Sequence, residues 1–134
     1  MKRFLSVFFL ITAISVFSQT EDNPIVWESS INQISETEYD VIFTAKLLQE
    51  WHLYSQENPE GASQPLEILI PEDRNGYKLV GKATESQTKK EYSEVWGKEE
   101  IFFADTAIIT QRLVVIDKNT TAVTLEIYGQ VCKQ

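Results

Sequence analysis

Apolar residues recur at every second position along much of the chain after residue 25, and short polar segments separate these stretches. Residues 40–47 and 122–132 show the alternation most clearly. A period of two is typical of strands that bury one face and leave the other in water. Further strands are predicted at 25–34, 66–70, 77–82 and 107–116. We therefore expect an all-β fold, an immunoglobulin-like antiparallel β-sandwich with about six or seven strands.

One segment, residues 84–100, does not follow this pattern. Lys and Glu residues surround Tyr92, Val95 and Trp96 there, and a charge run of this kind is usually a solvated face. We interpret the segment as a polar connection between strands. A large aromatic residue beside Gly97 is then either a plug buried under the connection or a contact residue. We expect the plug, because an exposed Trp is uncommon.

The amino terminus differs in composition from the rest of the chain. Lys2 and Arg3 precede an apolar run of 14 residues, and the small residue Ser18 follows it. The run is shorter than the ~20 residues that a membrane-spanning helix needs. A basic start, an apolar run and a small residue are typical of a cleaved secretory signal peptide. We predict a signal peptide at 1–18 and one domain at 19–134 that is periplasmic or secreted, with no membrane insertion after cleavage.

The charge of the chain limits its partners. The chain has 12 basic and 20 acidic side chains, a formal net charge of −8. The predicted signal peptide holds two of the basic residues, so the exported domain would carry a net charge of −10. An acidic surface repels phosphate backbones and anionic lipid headgroups. We therefore expect a protein or a small molecule as the partner, and no nucleic acid.

Few residues of the sequence are suited to catalysis. With one His and one Cys the chain lacks a Cys/His zinc cluster, and its five Gly form no phosphate-binding loop. The acidic pairs, Glu72 with Asp73 and Glu99 with Glu100, are interpreted as ordinary solvated surface. No cofactor and no metal are expected.

Cys132 is the residue with the most distinctive chemistry. An unpaired Cys in an exported protein is a buried inert thiol, a reactive thiol, or half of a bridge to another molecule. Counting along residues 122–132 places Cys132 in phase with Tyr128 and out of phase with Ile127. It is therefore expected on the more polar face, unless Gly129 introduces a bulge. This phase argues against an inert thiol in the core.

Four short motifs occur in order along the chain. They are Trp51-His52-Leu53-Tyr54-Ser55, GYKLVG from Gly76, YSEVWGK from Tyr92 and IYGQVC from Ile127. Together with the strand pattern of residues 25–134, they resemble the amino-terminal domains of the DsbD family of thiol:disulfide interchange proteins. The resemblance implies an immunoglobulin-like periplasmic domain that passes reducing equivalents from a membrane partner to oxidised substrate proteins.

The resemblance also implies roles for individual residues. The active site of that family is a Cys pair near the ends of two neighbouring strands, under a cap loop that shields the disulfide from unwanted exchange. Cys132 corresponds to the first Cys of the pair and is the implied catalytic residue, with His52 and Tyr54 as aromatic-position neighbours. Trp96 is expected to take the shielding role, because Val95 stands where the family has an aromatic residue. The implied cap loop consists of Ser93, Glu94, Val95, Trp96 and Gly97.

The sequence departs from the family pattern after Cys132. In the family a second Cys and another strand follow, whereas this sequence ends at Gln134. We expect either a truncated fragment or a domain that has lost the activity, with a sandwich that lacks its final strand. Since a lone Cys cannot form an internal disulfide, autonomous turnover as a disulfide reductase is not expected.

Two classes of function remain open at this point. The first is a thiol-disulfide interchange domain, impaired by the absent second Cys, with thioredoxin-like domains and a membrane thiol-exchange protein as partners. The alternative is a non-redox immunoglobulin-like domain that binds protein. His52 and Tyr54 also have structural interpretations, as a partly buried hydrogen-bonding side chain and as cross-strand packing.

Overall fold

A computed structural model describes residues 23–134, and the predicted signal peptide lies outside them. The described part is all-β, with ten strands in antiparallel pairs and no helix. The prediction of an all-β antiparallel sandwich is confirmed. The strands are β1 (Ile25–Gln33), β2 (Glu38–Leu47), β3 (Trp51–Tyr54), β4 (Glu67–Leu69), β5 (Tyr77–Glu85), β6 (Lys89–Ser93), β7 (Lys98–Ala104), β8 (Thr106–Val115), β9 (Glu126–Tyr128) and β10 (Val131–Lys133).

Two four-stranded sheets supply the core. Sheet one has the order β1-β2-β8-β5, sheet two has the order β10-β3-β7-β6, and β4 pairs with β9 as a separate ribbon. Every second residue of β2 and of β8 is buried, as alternation predicts for strands with one face in a core. In that core Ile109 of sheet one joins Leu53 and Phe103 of sheet two. The core therefore lies between the sheets, and the opposite faces point outward.

One polar side chain interrupts the inner face of β8. Gln111 is buried, and its Nε2 donates hydrogen bonds to the carbonyls of Gly81 at 3.1 Å and Arg112 at 2.8 Å. The register between β5 and β8 shifts between Val80 and Thr84, and Gly81 has a φ of 68° there, which favours glycine. The two hydrogen bonds satisfy the buried Gln111 amide, which would be costly to leave unpaired in the core.

The interpretation of residues 84–100 as a polar connection is wrong. Ten of its 17 residues lie in strands, at the end of β5, in β6 and at the start of β7. Strands β6 and β7 form a hairpin closed by a turn at 94–97, in which the Gly97 amide donates to the Ser93 carbonyl at 2.8 Å. The expectation that Trp96 is a buried plug is also wrong, because its side chain is 46% exposed. Strand β6 lies at a sheet edge and most of its residues are exposed, so its sequence has no apolar alternation.

The alternation predicted a single strand over residues 122–132, but the structure has two short strands there, β9 and β10. Strand β9 pairs with β4, and β10 pairs with β3, so the chain changes partner at Gly129 and Gln130. A Cβ on Gly129 would lie 3.2 Å from Leu53 Cδ1, which is tight for a side chain at this crossing. Breaks such as this one raise the number of described strands to ten, above the six or seven predicted.

No helix in residues 23–134 is long and apolar enough to cross a membrane. The predictions of a signal peptide, of its cleavage and of export concern residues before this range and stay predictions.

Adjacent isoleucines on β8 give a matched test of the sandwich. Ile109 is fully buried and Ile108 is 44% exposed on the opposite face. Ile109→Ala should lower the free energy of unfolding by about 2–5 kcal/mol, because it removes buried methyl groups and leaves a cavity. Ile108→Ala should change it by less than about 1 kcal/mol. Urea denaturation of both variants measures the difference, and equal losses would contradict the assignment of the two faces.

Candidate functional site

Cys132 lies at the edge of sheet two, on the side away from the core. Its cross-strand neighbour is His52, and the preceding pair joins Val131 to Leu53. Val131 packs against the core, so Cys132 and His52 stand on the outer face by alternation. The Cys132 thiol is free and half-buried. Cys132 therefore faces away from the core, on the side that the alternation predicted. The single strand assumed in that prediction is in fact divided into β9 and β10.

The outer face beside Cys132 carries three stacked or edge-packed rings. The His52 ring stacks on the Phe102 ring, with centroids 3.8 Å apart and planes inclined by 12°. Tyr54 meets the same Phe102 edge-on, with centroids 6.3 Å apart. All three side chains are buried. Sheet two is therefore packed on both faces at β3 and β7, and the outer packing joins the two predicted neighbours of Cys132 through Phe102.

His52 is a buried base whose ring is incompletely hydrogen-bonded. Its exposed fraction is 9%, and the buried Nδ1 atom has no hydrogen-bond partner among the described residues. Burial lowers the pKa of His52 below its ordinary value, and the nearby Glu91 carboxylate opposes that shift. At neutral pH the ring is therefore uncharged, which suits its stacking on Phe102. The sequence alone allows a hydrogen-bonding role for His52, but its Nδ1 atom forms no hydrogen bond with any described residue.

Gln130 connects the Cys132 sulfur to the backbone. Its Oε1 accepts a hydrogen bond from the Gln64 amide at 2.7 Å, and its Nε2 lies 3.2 Å from Cys132 Sγ. Since a backbone amide can only donate, the atom that faces Gln64 is the oxygen, and the amide nitrogen faces the sulfur. The Gln130 amide nitrogen is therefore held in contact with the sulfur.

Tyr54 adjoins the thiol, and Glu100 adjoins Tyr54. Burial raises the pKa of the Tyr54 hydroxyl, a hydrogen bond with Ser63 lowers it, and the neighbouring Glu100 and Cys132 raise it further. Glu100 is 6% exposed, and its Oε2 accepts hydrogen bonds from Asn58 Nδ2 at 3.2 Å and the Ser63 amide at 3.1 Å. The interpretation of Glu100 as solvated surface is therefore wrong, because the loop after β3 folds over it.

A groove with a volume of about 250 Å³ runs beside these residues. Sheet two, its edge strand β6 and the chain end after β10 form its walls. The lining residues are Tyr54, Glu91, Tyr92, Ser93, Glu100, Phe102 and Gln134. Tyr54 and Phe102 connect this groove to the outer-face cluster that contains His52.

The predicted cap residues are only partly brought to this site. Ser93 lines the groove, whereas the next four residues form the exposed turn of the β6–β7 hairpin. Val95 is 85% exposed and Trp96 is 46% exposed. The hairpin lies at the edge of sheet two opposite β10, with β3 and β7 between them. Shielding of Cys132 by Trp96 stays a prediction.

Sequence reasoning missed Phe102, Gln130 and Glu100. The consecutive apolar residues 101–103 were an available signal, since a strand with three apolar residues in a row buries both faces. Gln130 gave no signal, because its importance depends on where the chain leaves β9. Glu100 gave none either, because its partners Asn58 and Ser63 are far away in sequence.

No protein-family model, no curated protein and no solved structure matches the chain. The resemblance stated above therefore stays a prediction. Among the described residues, no group of His, Cys, Asp and Glu side chains is arranged to hold a metal ion.

The buried His52 should make stability depend on pH. Its pKa is lowered in the folded state, so the unfolded chain binds a proton near pH 6.5 that the folded protein does not. The free energy of unfolding should therefore fall as the pH drops below about 6.5 and level off below the folded-state pKa. His52 is the only His of the chain, so its ring-proton NMR titration measures this directly. A midpoint at or above 6.5 would contradict the burial argument.

Proposed function

We propose that this domain is a thiol-disulfide exchange module in which Cys132 forms a mixed disulfide with a partner protein. The observation that carries the proposal is the placement of a half-buried free thiol on an outer sheet face, opposite the buried His52 and in contact with the Gln130 amide. An inert structural thiol would be packed in the core, whereas here Val131 takes the core position.

The exchange step balances with one protein thiol. The Cys132 thiolate attacks one sulfur of the partner's disulfide, the partner's S–S bond breaks, and a new S–S bond joins Cys132 to that sulfur. The other partner sulfur leaves as a thiolate and takes up a proton. The Gln130 amide would stabilise the charge that Cys132 carries before the attack.

The second half of the cycle needs a thiol that Cys132 does not supply. In the proposed mechanism a thiol of a further protein attacks the partner's sulfur in the mixed disulfide, forms a new S–S bond to that sulfur and frees Cys132 as a thiolate. Attack by the partner's own released thiol would only reverse the first step. Thioredoxin-like domains and a membrane thiol-exchange protein are the partners we propose, since both classes carry paired thiols. Export to the periplasm belongs to the same proposal and is supported by the basic and apolar amino terminus of the sequence.

A second candidate function is noncovalent protein binding. The β6–β7 hairpin presents Tyr92, Val95 and Trp96 at exposed fractions of 64%, 85% and 46%. Clustered apolar side chains in an exposed turn are typical of contact surfaces. A partner that binds a Cys132→Ser variant as tightly as the unaltered protein would favour this candidate.

Exchange at Cys132 gives the first test of the proposal. Incubation with oxidised glutathione should attach one glutathione to the protein and none to a Cys132→Ser variant, as intact-mass spectrometry shows. The rate should rise with pH, because the thiolate is the nucleophile. Absence of the adduct under conditions in which a free cysteine reacts would contradict the proposal. Catalytic turnover without any added thiol would contradict the single-thiol mechanism.

Gln130 gives a sharper test with a matched control. Gln130→Leu removes the donor to the sulfur and should slow mixed-disulfide formation roughly tenfold, the value of one hydrogen bond to a charged group. Gln64→Ala keeps the backbone amide that orients Gln130, so it should react at the unaltered rate. Equal rates for Gln130→Leu and the unaltered protein, measured by stopped-flow reaction with an aromatic disulfide, would show that the contact has no part in exchange.

A further inference from the structure

The groove beside the aromatic cluster is lined by aromatic side chains and by carboxylates. Tyr54, Phe102 and Tyr92 contribute rings, and Glu91 and Glu100 contribute carboxylates. None of the described residues that line it is basic. Rings of this kind attract cations through their negative faces, and carboxylates attract them through charge. The lining is therefore suited to a cation that also has a flat surface.

The two carboxylates are placed in a way that is costly without a cation. Glu91 of β6 is the direct cross-strand partner of Glu100 of β7, and like charges directly opposite on a sheet destabilise it. Neither residue forms an ion pair among the described residues. A neutral residue in place of the exposed Glu91 would remove this repulsion without changing the core. A positive group in the groove would remove the repulsion directly.

Glu100 is also held in place before any ligand arrives. Its side chain is 6% exposed, and both of its hydrogen bonds, from Asn58 and from the Ser63 amide, are accepted by Oε2. Its other oxygen, Oε1, accepts neither of them. A carboxylate oriented by its surroundings loses little conformational freedom on binding, which favours affinity.

We propose that this groove binds the guanidinium group of an arginine side chain on the partner protein. Arginine fits better than lysine, because its planar group stacks on aromatic rings while its N–H donors reach carboxylates. The net charge of −8 attracts a basic partner surface from a distance. The inference rests on the proposed function, which supplies the partner protein. It adds that this partner carries an arginine side chain near the disulfide that exchanges with Cys132.

The test is an NMR titration of the isotope-labelled protein with the blocked tripeptide acetyl-Gly-Arg-Gly-amide. Its counterpart contains citrulline, which has nearly the same shape and no charge. The arginine peptide should shift the backbone amides of the groove residues saturably, and the citrulline peptide should bind at least roughly tenfold more weakly. Equal binding of the two peptides, tighter binding of a lysine peptide, or shifts elsewhere on the protein would overturn the inference.

Substitutions locate the charge that binds. Glu91→Gln and Glu100→Gln should each weaken binding of the arginine peptide several-fold. Glu91→Gln removes a like-charge contact at an exposed position, so it tests the groove even if Glu100→Gln destabilises the loop over it. Glu99→Gln removes an exposed carboxylate next to Glu100 in β7, outside the groove lining, and should leave binding unchanged. Equal effects of Glu99→Gln and Glu91→Gln would show a diffuse charge effect and overturn the site.

The same titration on Cys132→Ser separates this inference from the exchange proposal. The arginine peptide contains no sulfur, so its binding should be the same with and without the thiol. Arginine binding without exchange at Cys132 would reject the exchange proposal and retain the groove as a binding site. Exchange at Cys132 without preference for arginine over citrulline would reject the groove and retain the exchange proposal.

Discussion

The stacking of His52 on Phe102 is the contact on which the candidate site depends. The contact buries the His52 ring, and burial lowers the pKa of His52, so the stacked ring is uncharged at neutral pH. Aromatic pairs of this kind contribute about 0.5–1.5 kcal/mol beyond the area that they bury. Because Leu53 and Phe103 fill the core from the same two strands, β3 and β7 are anchored on both sides. Few side chains of the neighbouring strand β6 share this burial.

Burial on both faces gives the edge strand β10 a rigid neighbour. The pairing with β3 fixes Cys132 opposite His52, and the Gln64 amide fixes the Gln130 side chain that reaches the sulfur. Our proposals for the thiol and for the groove both use this rigidity. A thiol on a mobile terminus would sample many positions, whereas exchange with a folded partner needs one sulfur held at one place.

Alternation along the chain predicted those strands that have one buried and one solvated face. Strands β2 and β8 were found in this way, since half of their residues enter the core. Strand β6 was missed, because an edge strand with exposed side chains is specified by its backbone pairing with β7 and carries no periodic pattern. The break at Gly129 was missed for a related reason: β9 and β10 alternate in a continuous pattern but pair with different strands.

The candidate site was predictable only in part. Cys132 was identified from its chemistry and its phase along the strand, and His52 and Tyr54 were identified through the resemblance. Strand β3 places His52 and Tyr54 on one face, two residues apart. Phe102, which joins them, and Glu100, which is opposite Glu91, come from β7, and the register of β7 against β3 and β6 cannot be read from one sequence. The burial of Glu100 depends in addition on hydrogen bonds from residues 58 and 63.

The position of the thiol on the outer face is the central claim, and a spin label on Cys132 tests it most directly. Cys132 is the only Cys of the chain, so a nitroxide disulfide reagent labels one site. The account predicts that the labelled protein stays folded and that the amide signals of His52 and Phe102 broaden strongly, while Ile108 on the outer face of sheet one stays sharp. Unfolding on labelling, or broadening at Ile108 as strong as at His52, would contradict the account.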